Sequence, residues 1–364
     1  MEKMVRSNVV NRSFWSCKKV LVTGHTGFKG SWLVLWLKQL GAEVMGYSLS
    51  PQTSQSMFQQ VNIKNHVESH FKDILDVASL QEAFKQFQPE IVFHLAAQSL
   101  VQYSYKNPVE TYQTNVMGTL NVLEAIRNTD SVQAAVMVTT DKCYENKEWV
   151  WGYRENDPMG GFDPYSSSKG CAELLISSYR NSFFKVENIS KKVGLASARA
   201  GNVIGGGDWA ENRLIPDCIR AIKKGEPINI RNPNAVRPWQ HVLEPLAGYM
   251  ILAESLYENP NEFSQAWNFG PNLDDAKSVK DVVDALVGYW GGAEWKVDPN
   301  ELYLHEAEYL KLDCTKAFTK LNWSPKWCLA TALEKSVEWY KAPNEAESLL
   351  QLCLKQINEY MGEN

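Results

Sequence analysis

The chain has 364 residues, 44% of them hydrophobic and 22% charged, the make-up of an ordinary globular protein, so fibrous and intrinsically disordered classes drop out. With a formal net charge of −5 it offers no broad positive surface, and no nucleic-acid or membrane partner is expected. Seven scattered cysteines, odd in number and never spaced as C-x-x-C, point to a reducing compartment, the cytoplasm, and to no bound metal.

In chain order, residues 1–19 mix Glu2, Lys3, Arg6, Arg12, Lys18 and Lys19 with polar side chains and hold no apolar core, so no signal peptide is expected. A strand is predicted over 20–22 and a helix over 32–40, with Leu33, Trp36, Leu37 and Leu40 on its buried side. The apolar run 31–40 contains Lys38 and falls short of the roughly 18 residues that would span a bilayer. Further strands are predicted over 43–47, just before Asp73, and over 91–95, 134–139 and 194–199, each short, apolar and bounded by turn residues. This alternation of apolar runs and amphipathic stretches is that of an α/β fold, a doubly wound parallel sheet of Rossmann type with right-handed crossovers. After Gly205-Gly206-Gly207 the rhythm loosens around Pro216, Pro227, Pro233, Pro238 and Pro245, before a return strand over 267–271 and helices over 279–290 and 324–360. The expected division is a nucleotide-binding domain over 18–204, with its return strand near 266–275, and a smaller substrate-binding α/β region from 205–265 and 276–345 interleaved with it.

Directly after the first strand comes Thr23-Gly24-His25-Thr26-Gly27-Phe28-Lys29-Gly30 and then a helix. Glycines spaced G-x-x-G-x-x-G permit a tight turn and close backbone approach to a pyrophosphate, while the helix N-terminus offers unpaired N–H groups. A glycine triplet is a weak signal alone; its place between strand and helix strengthens it. Gly24, Thr26, Gly27, Phe28, Lys29 and Gly30 are therefore candidate dinucleotide contacts, with the His25 and Lys29 side chains expected to be exposed. An acid at the end of the second strand would select NAD by binding its ribose, but that position is Ser48, and no Arg follows to hold a 2′-phosphate. These residues leave the cofactor choice open. Asp73, followed by Ile74, either binds the adenine amino group or is a solvated turn residue.

Thr139-Thr140-Asp141-Lys142 ends the strand over 134–139, and Tyr165 and Lys169 follow on a helix that Pro164 is placed to open. Four residues apart, the two share one helix face. An ammonium beside a phenol favours phenolate; moving a tyrosine from about 10 to near 7 corresponds to roughly 4 kcal/mol. Cys143 reads as a small apolar filler, and His94, in an apolar strand, as a satisfied core histidine; His305 is no stronger as a catalyst.

Together the loop 23–30, His94-Leu95-Ala96-Ala97-Gln98, the tract 139–144 and Tyr165-x-x-x-Lys169 resemble the extended short-chain dehydrogenases/reductases, and among these the nucleotide-sugar 4,6-dehydratases. Longer matches in Thr-Thr-Asp-Lys-Cys-Tyr-Glu-Asn, Ala-Gly-Asn-Val-Ile-Gly-Gly-Gly-Asp-Trp and Arg-Pro-Trp-Gln-His-Val are similar to the branch acting on CDP-D-glucose. The likeness runs from Lys18 to about Tyr340. It implies NAD as cofactor, also held by Ala96, Ala97 and Gln98, and CDP-D-glucose as substrate. It further implies a cycle in which Tyr165, assisted by Lys169 and Thr140, takes the C4 proton as C4 is oxidised, and Asp141, protonated, expels the C6 hydroxyl. Relatives often carry a Glu base for C5 where this chain has Lys142, which is then either a depressed-pKa base or a charged enolate stabiliser; Glu145 is a further candidate base. The likeness places Asn202, Asp208, Trp209, Arg213 and Arg237 at the substrate, Arg237 on its diphosphate, although Trp209 equally suits a packing role. It implies a homodimer or homotetramer, and a product feeding deoxysugars of surface polysaccharide. A nucleotide-sugar 4-epimerase or a dehydratase of another nucleotide sugar is the alternative on the same fold. A sensor or scaffold that binds NAD without turnover is the alternative from another class, with no use for Asp141.

Overall fold

A computed structural model describes residues 9–51, 53–184, 192–297 and 309–363; the segment 1–8 and His305 lie outside the described residues. Seven parallel strands form the central sheet: β1 (Lys19–Thr23), β2 (Glu43–Ser48), β3 (Glu68–Phe71), β4 (Ile91–His94), β5 (Ala134–Val138), β6 (Gly194–Ala200) and β7 (Ala266–Phe269). Their order is β7-β6-β5-β4-β1-β2-β3, every neighbouring pair parallel. The fold is thus a doubly wound α/β sheet of Rossmann type. Chain direction across the sheet reverses between β1 and β4, and ligands of such sheets bind at the carboxyl ends beside that reversal.

The sheet is covered on both faces, which is why β4, β5 and β6 are buried at every residue rather than alternately. Alternate residues serve opposite layers. Val20, Val22, Phe93 and Val136 face α1 (Phe28–Gln39) and, further along, α5 (Leu243–Glu258), with Leu33, Trp36, Leu246 and Met250 among the partners. Leu21, Val92, Ala135 and Met137 face α2 (Val77–Phe87), α3 (Gly118–Arg127) and α4 (Pro164–Tyr179), through Leu80, Phe84, Val122, Ile126 and Ile176. The helix predicted from residue 32 begins at Phe28, because Gly27, extended at φ −79° and ψ 170°, caps it from within the loop.

Short strand pairs sit beyond the carboxyl edge: Val203–Ile204 with Gln240–His241, Val236–Pro238 with Ala276–Ser278, and Ile228–Ile230 with Trp295–Val297. The helical tail divides into Leu329–Lys341 and Ala346–Met361, broken around Pro343, and returns to the α1 face, where the Tyr360 ring lies 5.6 Å from that of Trp36. Among the described residues no helix is long and apolar enough to cross a membrane.

Two loop residues depart from expectation, His25 here and Lys29 at the site below. His25 is not exposed but fully buried, its Nε2 3.1 Å from Ser69 Oγ and its ring 5.3 Å from that of Phe58. Burial pushes the imidazole down to about 4, so it is a neutral core group. Gly46 makes room for it: a Cβ there would stand 2.2 Å from the ring.

Candidate active site

The turn from β1 into α1 is built for a phosphate group. Gly24 has φ +75°, and a Cβ on it would stand 2.6 Å from Ala96 N, so the loops after β1 and β4 meet backbone to backbone. On Gly30 a Cβ would lie 2.1 Å from Gly24 O. No side chain caps α1 and no acid occupies its first turn, which leaves the leading N–H groups for an anion. These features fit a dinucleotide pyrophosphate. Around the cradle, Thr26 Oγ1 lies 2.9 Å from Ser48 Oγ and donates to Leu49 O at 3.0 Å, which ties the loop to the end of β2. Asp73 accepts from Leu75 N at 2.9 Å in a turn after β3, with Ile74 buried behind it. Gln98 is held by Thr111 and Asn115, at 2.8 and 2.9 Å, and follows the half-buried Ala96 and Ala97.

Thr139 and Thr140 follow β5, and Thr140 caps a 3-10 turn (Asp141–Cys143). Thr140 Oγ1 donates to Asp141 Oδ1 at 3.0 Å and accepts from Lys142 N at 3.4 Å. Asp141 is 2% exposed and its Oδ2 has no hydrogen-bond partner. Burial raises its pKa, against the opposing pull of Lys142, Thr140, Arg237 and Lys29. A carboxyl in this setting holds its proton more tightly than usual. Lys142 is half-buried beside it, whereas Glu145 is exposed, its carboxylate 3.9 Å from the Lys147 amine. Cys143 is a buried filler, its thiol pushed well up by burial, and His94 is a satisfied core residue between Thr23 Oγ1 at 2.7 Å and Thr119 Oγ1 at 3.0 Å.

α4 carries Tyr165 and Lys169. Pro164 occupies its first turn, and Asp163 caps it by accepting from Ser166 N at 2.9 Å. Both side chains are buried, but the expected lowering of the phenol by the ammonium is not the dominant effect. Burial pushes Tyr165 up to about 12, past the lowering influences of Thr140 and Arg213. It also pushes Lys169 down to about 8, and the amine donates to Val138 O at 3.4 Å. A low-dielectric site resists both charged forms.

Of the substrate-side residues, Arg213 pairs with Asp208 at 3.1 Å and donates to Ser99 Oγ at 3.0 Å, bridging to the loop after β4. Arg237 is buried in the strand Val236–Pro238 and acts electrostatically on Asp141. Asn202 lies beside it, its carbonyl accepting from Gln240 N at 3.1 Å. Trp209 is engaged in packing, with Nε1 on Gln60 Oε1 at 2.9 Å and its ring 5.3 Å from that of Tyr340.

Further groups belong to this centre without any motif to announce them. Lys29, expected to be exposed, is half-buried, and its amine turns inward to 6.0 Å from the Tyr249 ring. Tyr249, from α5, is fully buried, and its hydroxyl has no partner. Glu173 of α4 and Arg199 of β6 form a buried ion pair at 2.7 Å; Glu173 also accepts from Thr139 at 2.5 Å and Ser197 at 2.7 Å. Burial alone would push Glu173 up, but Arg199 and these hydroxyls hold it below the usual carboxylate range. The pair clamps the end of β5 against α4. An i, i+4 spacing from Lys169 to Glu173 was the available signal for the acid; nothing local marked Tyr249.

The chain is similar to known proteins over nearly its whole length. A family model described as GDP-mannose 4,6 dehydratase matches residues 21–336. A CDP-glucose 4,6-dehydratase of Salmonella typhimurium is 53% identical over 356 residues, 97% of this chain and 99% of that protein. The solved UDP-glucose 4-epimerase of Thermus thermophilus, in complex with NAD, has a TM-score of 0.76 at 26% identity, covering 88% of this chain and 98% of its own. The NAD complex of a dTDP-glucose 4,6-dehydratase from Bacillus anthracis, at 21% identity, TM-score 0.72, 89% of this chain and 97% of its own, shares the fold.

Proposed function

The chain belongs to the GDP-mannose 4,6-dehydratase family, and from that premise we propose that it is a lyase converting CDP-D-glucose to CDP-4-dehydro-6-deoxy-D-glucose with bound NAD. The observation that carries the reading is Asp141, a buried carboxyl with a raised pKa, one residue from Thr140 and near Tyr165 at the carboxyl end of the sheet. An epimerase has no leaving hydroxyl to protonate. The 53% likeness to the Salmonella enzyme supports CDP-D-glucose over other nucleotide sugars.

The C5 proton of a hexose is not acidic until C4 is a ketone, so oxidation must precede elimination. NAD, held by the Gly24-Gly27-Gly30 cradle, supplies the hydride acceptor at C4 and the hydride donor at C6, so the reaction has no net redox change. Tyr165 takes the C4 hydroxyl proton, with Lys169 one helical turn along; burial holds the phenol up at about 12, and the Thr140 hydroxyl and Arg213 act on it in the direction of phenolate. Thr140 hydrogen-bonds O4. Asp141 gives its proton to the departing C6 oxygen. Lys142 stands on the C5 side, as base or as the cation that stabilises the enolate. Arg237 and Arg213 hold the diphosphate, with Asn202, Asp208 and Trp209 framing the nucleotide, and Ser48, Asp73 and Ile74 the adenosine end of the cofactor. The protein works in the cytoplasm as a homodimer or homotetramer.

The test is to incubate it with CDP-, dTDP- and UDP-glucose and GDP-mannose separately and to follow mass and absorbance. Loss of one water from CDP-glucose without net NADH supports the reading. Net NADH without dehydration overturns it, and dehydration of a different sugar moves the substrate.

A further inference from the structure

Asp141 spends a proton in every turnover, and a buried carboxyl has to be recharged from somewhere. The chain brings a second amine to it. Lys29 enters from the first turn of α1, on the face of the sheet covered by α5, and its Nζ lies 6.0 Å from the ring of Tyr249. No carboxylate is within ion-pair distance of that amine among the described residues. The groups acting on it come from every surrounding element: Arg213 and Asp208 from the loop before the helix Leu214–Lys224, Asp141 from the end of β5, Lys169 from α4 and the Tyr249 ring from α5. Two oxygens here are buried without partners, Asp141 Oδ2 and the Tyr249 hydroxyl. Such atoms are costly to leave unsatisfied and call for a use.

We propose that Lys29 is the proton donor that restores Asp141 after each elimination, along a route lined by the Tyr249 hydroxyl. This rests on the dehydratase reading above. In the step, the Asp141 carboxyl protonates the C6 oxygen, the C6–O bond breaks and water leaves, and Asp141 remains as carboxylate. The Lys29 ammonium then gives one proton to that carboxylate, becomes a neutral amine, and regains a proton from water as the product leaves. Nothing is oxidised or reduced. Arg237, also near Asp141, cannot serve because a guanidinium does not release its proton. Burial and Arg213 push the Lys29 amine down to about 8, which lowers the cost of its release.

Lys29→Arg and Lys29→Ala separate a proton from a charge. Each is assayed for dehydration of CDP-D-glucose at saturating NAD across the titration of the amine near 8, with NAD affinity measured separately by tryptophan fluorescence and folding checked by thermal melting. Both variants are expected to lose about 10- to 100-fold in kcat. The wild-type decline on the alkaline side is shallower in both, keeping only the part due to Lys169, which also titrates near 8, and methylamine speeds Lys29→Ala. Lys29→Arg at wild-type kcat, a loss confined to NAD affinity, or Lys29→Ala unaffected by methylamine overturns the proposal. If either variant fails to fold, Lys29→Met, which keeps an unbranched chain over the Tyr249 ring, takes its place under the same criterion of wild-type kcat. A wild-type protein that leaves CDP-D-glucose unchanged sinks the dehydratase reading instead.

Discussion

The chemistry of the centre is set by which ionisable groups the fold removes from water. Asp141 illustrates it: because its folded pKa is raised, the folded state holds a proton that the unfolded chain releases from about 3.9 upward. Stability from this group is therefore full below the unfolded pKa and is lost as pH rises through the folded one. Asp141→Asn, neutral at all pH, should melt at a higher temperature than wild type at neutral pH, yet lose about 100- to 10,000-fold in dehydration while still showing C4 oxidation as NADH absorbance. Gly201 supports the same carboxyl by having no side chain. A Cβ there would stand 2.8 Å from Asp141 Oδ2 and 2.6 Å from Pro238 Cγ. Gly201→Ala should keep the fold and shift the carboxyl, costing about 100-fold in kcat with KM for CDP-D-glucose little changed, as a steady-state comparison would show.

At the scale of elements, α5 is the hinge between the sheet and the tail. Its first turn carries Glu244, fully buried, which accepts from Trp327 N at 2.7 Å, Lys326 N at 3.0 Å and the Tyr360 hydroxyl at 2.6 Å. Burial pushes this carboxyl up to about 7 in spite of those donors. The folded state accordingly binds a proton between about 4.3 and that value which the unfolded chain has lost. Thermal stability should fall as pH is raised through about 7, and Glu244→Gln should flatten that part of a melting-temperature profile. A profile with no inflection there would remove Glu244 as its cause. The elements themselves were largely legible beforehand. β1, the glycine loop and α1 followed from an apolar run, three glycines and a 3.6-residue pattern, and α4 from Pro164. The start of α1 was misplaced by four residues because Gly27 caps it through backbone conformation, which the apolar period does not register.

For the whole molecule, the exposed apolar side chains on and beside α4 bear on assembly. Leu174 on α4 is 62% exposed, and Val109 and Met117 on the neighbouring helical turns are 68% and 47% exposed. Large exposed apolar side chains on helices that pack together suit an interface. In the proposed oligomer a second copy covers them. Leu174→Glu should then shift the sedimentation coefficient towards that of a monomer without lowering the melting temperature of the monomer itself; an unchanged distribution would place the interface elsewhere.

The sequence alone determined the doubly wound sheet, the strand–loop–helix cradle and the helix bearing Tyr165 and Lys169, because each is written in local period, turn chemistry and short spacing. It also carried the family likeness, through motifs whose residues lie close together along the chain. Tertiary structure decided the electrostatics. That His25 is neutral and buried, that Lys29 turns inward, that Tyr249 arrives from α5 with its hydroxyl unpartnered, and that burial outweighs Thr140 and Arg213 at the Tyr165 phenol all depend on groups far apart in sequence. Desolvation is a property of the assembled interior, so no local pattern of residues can state it.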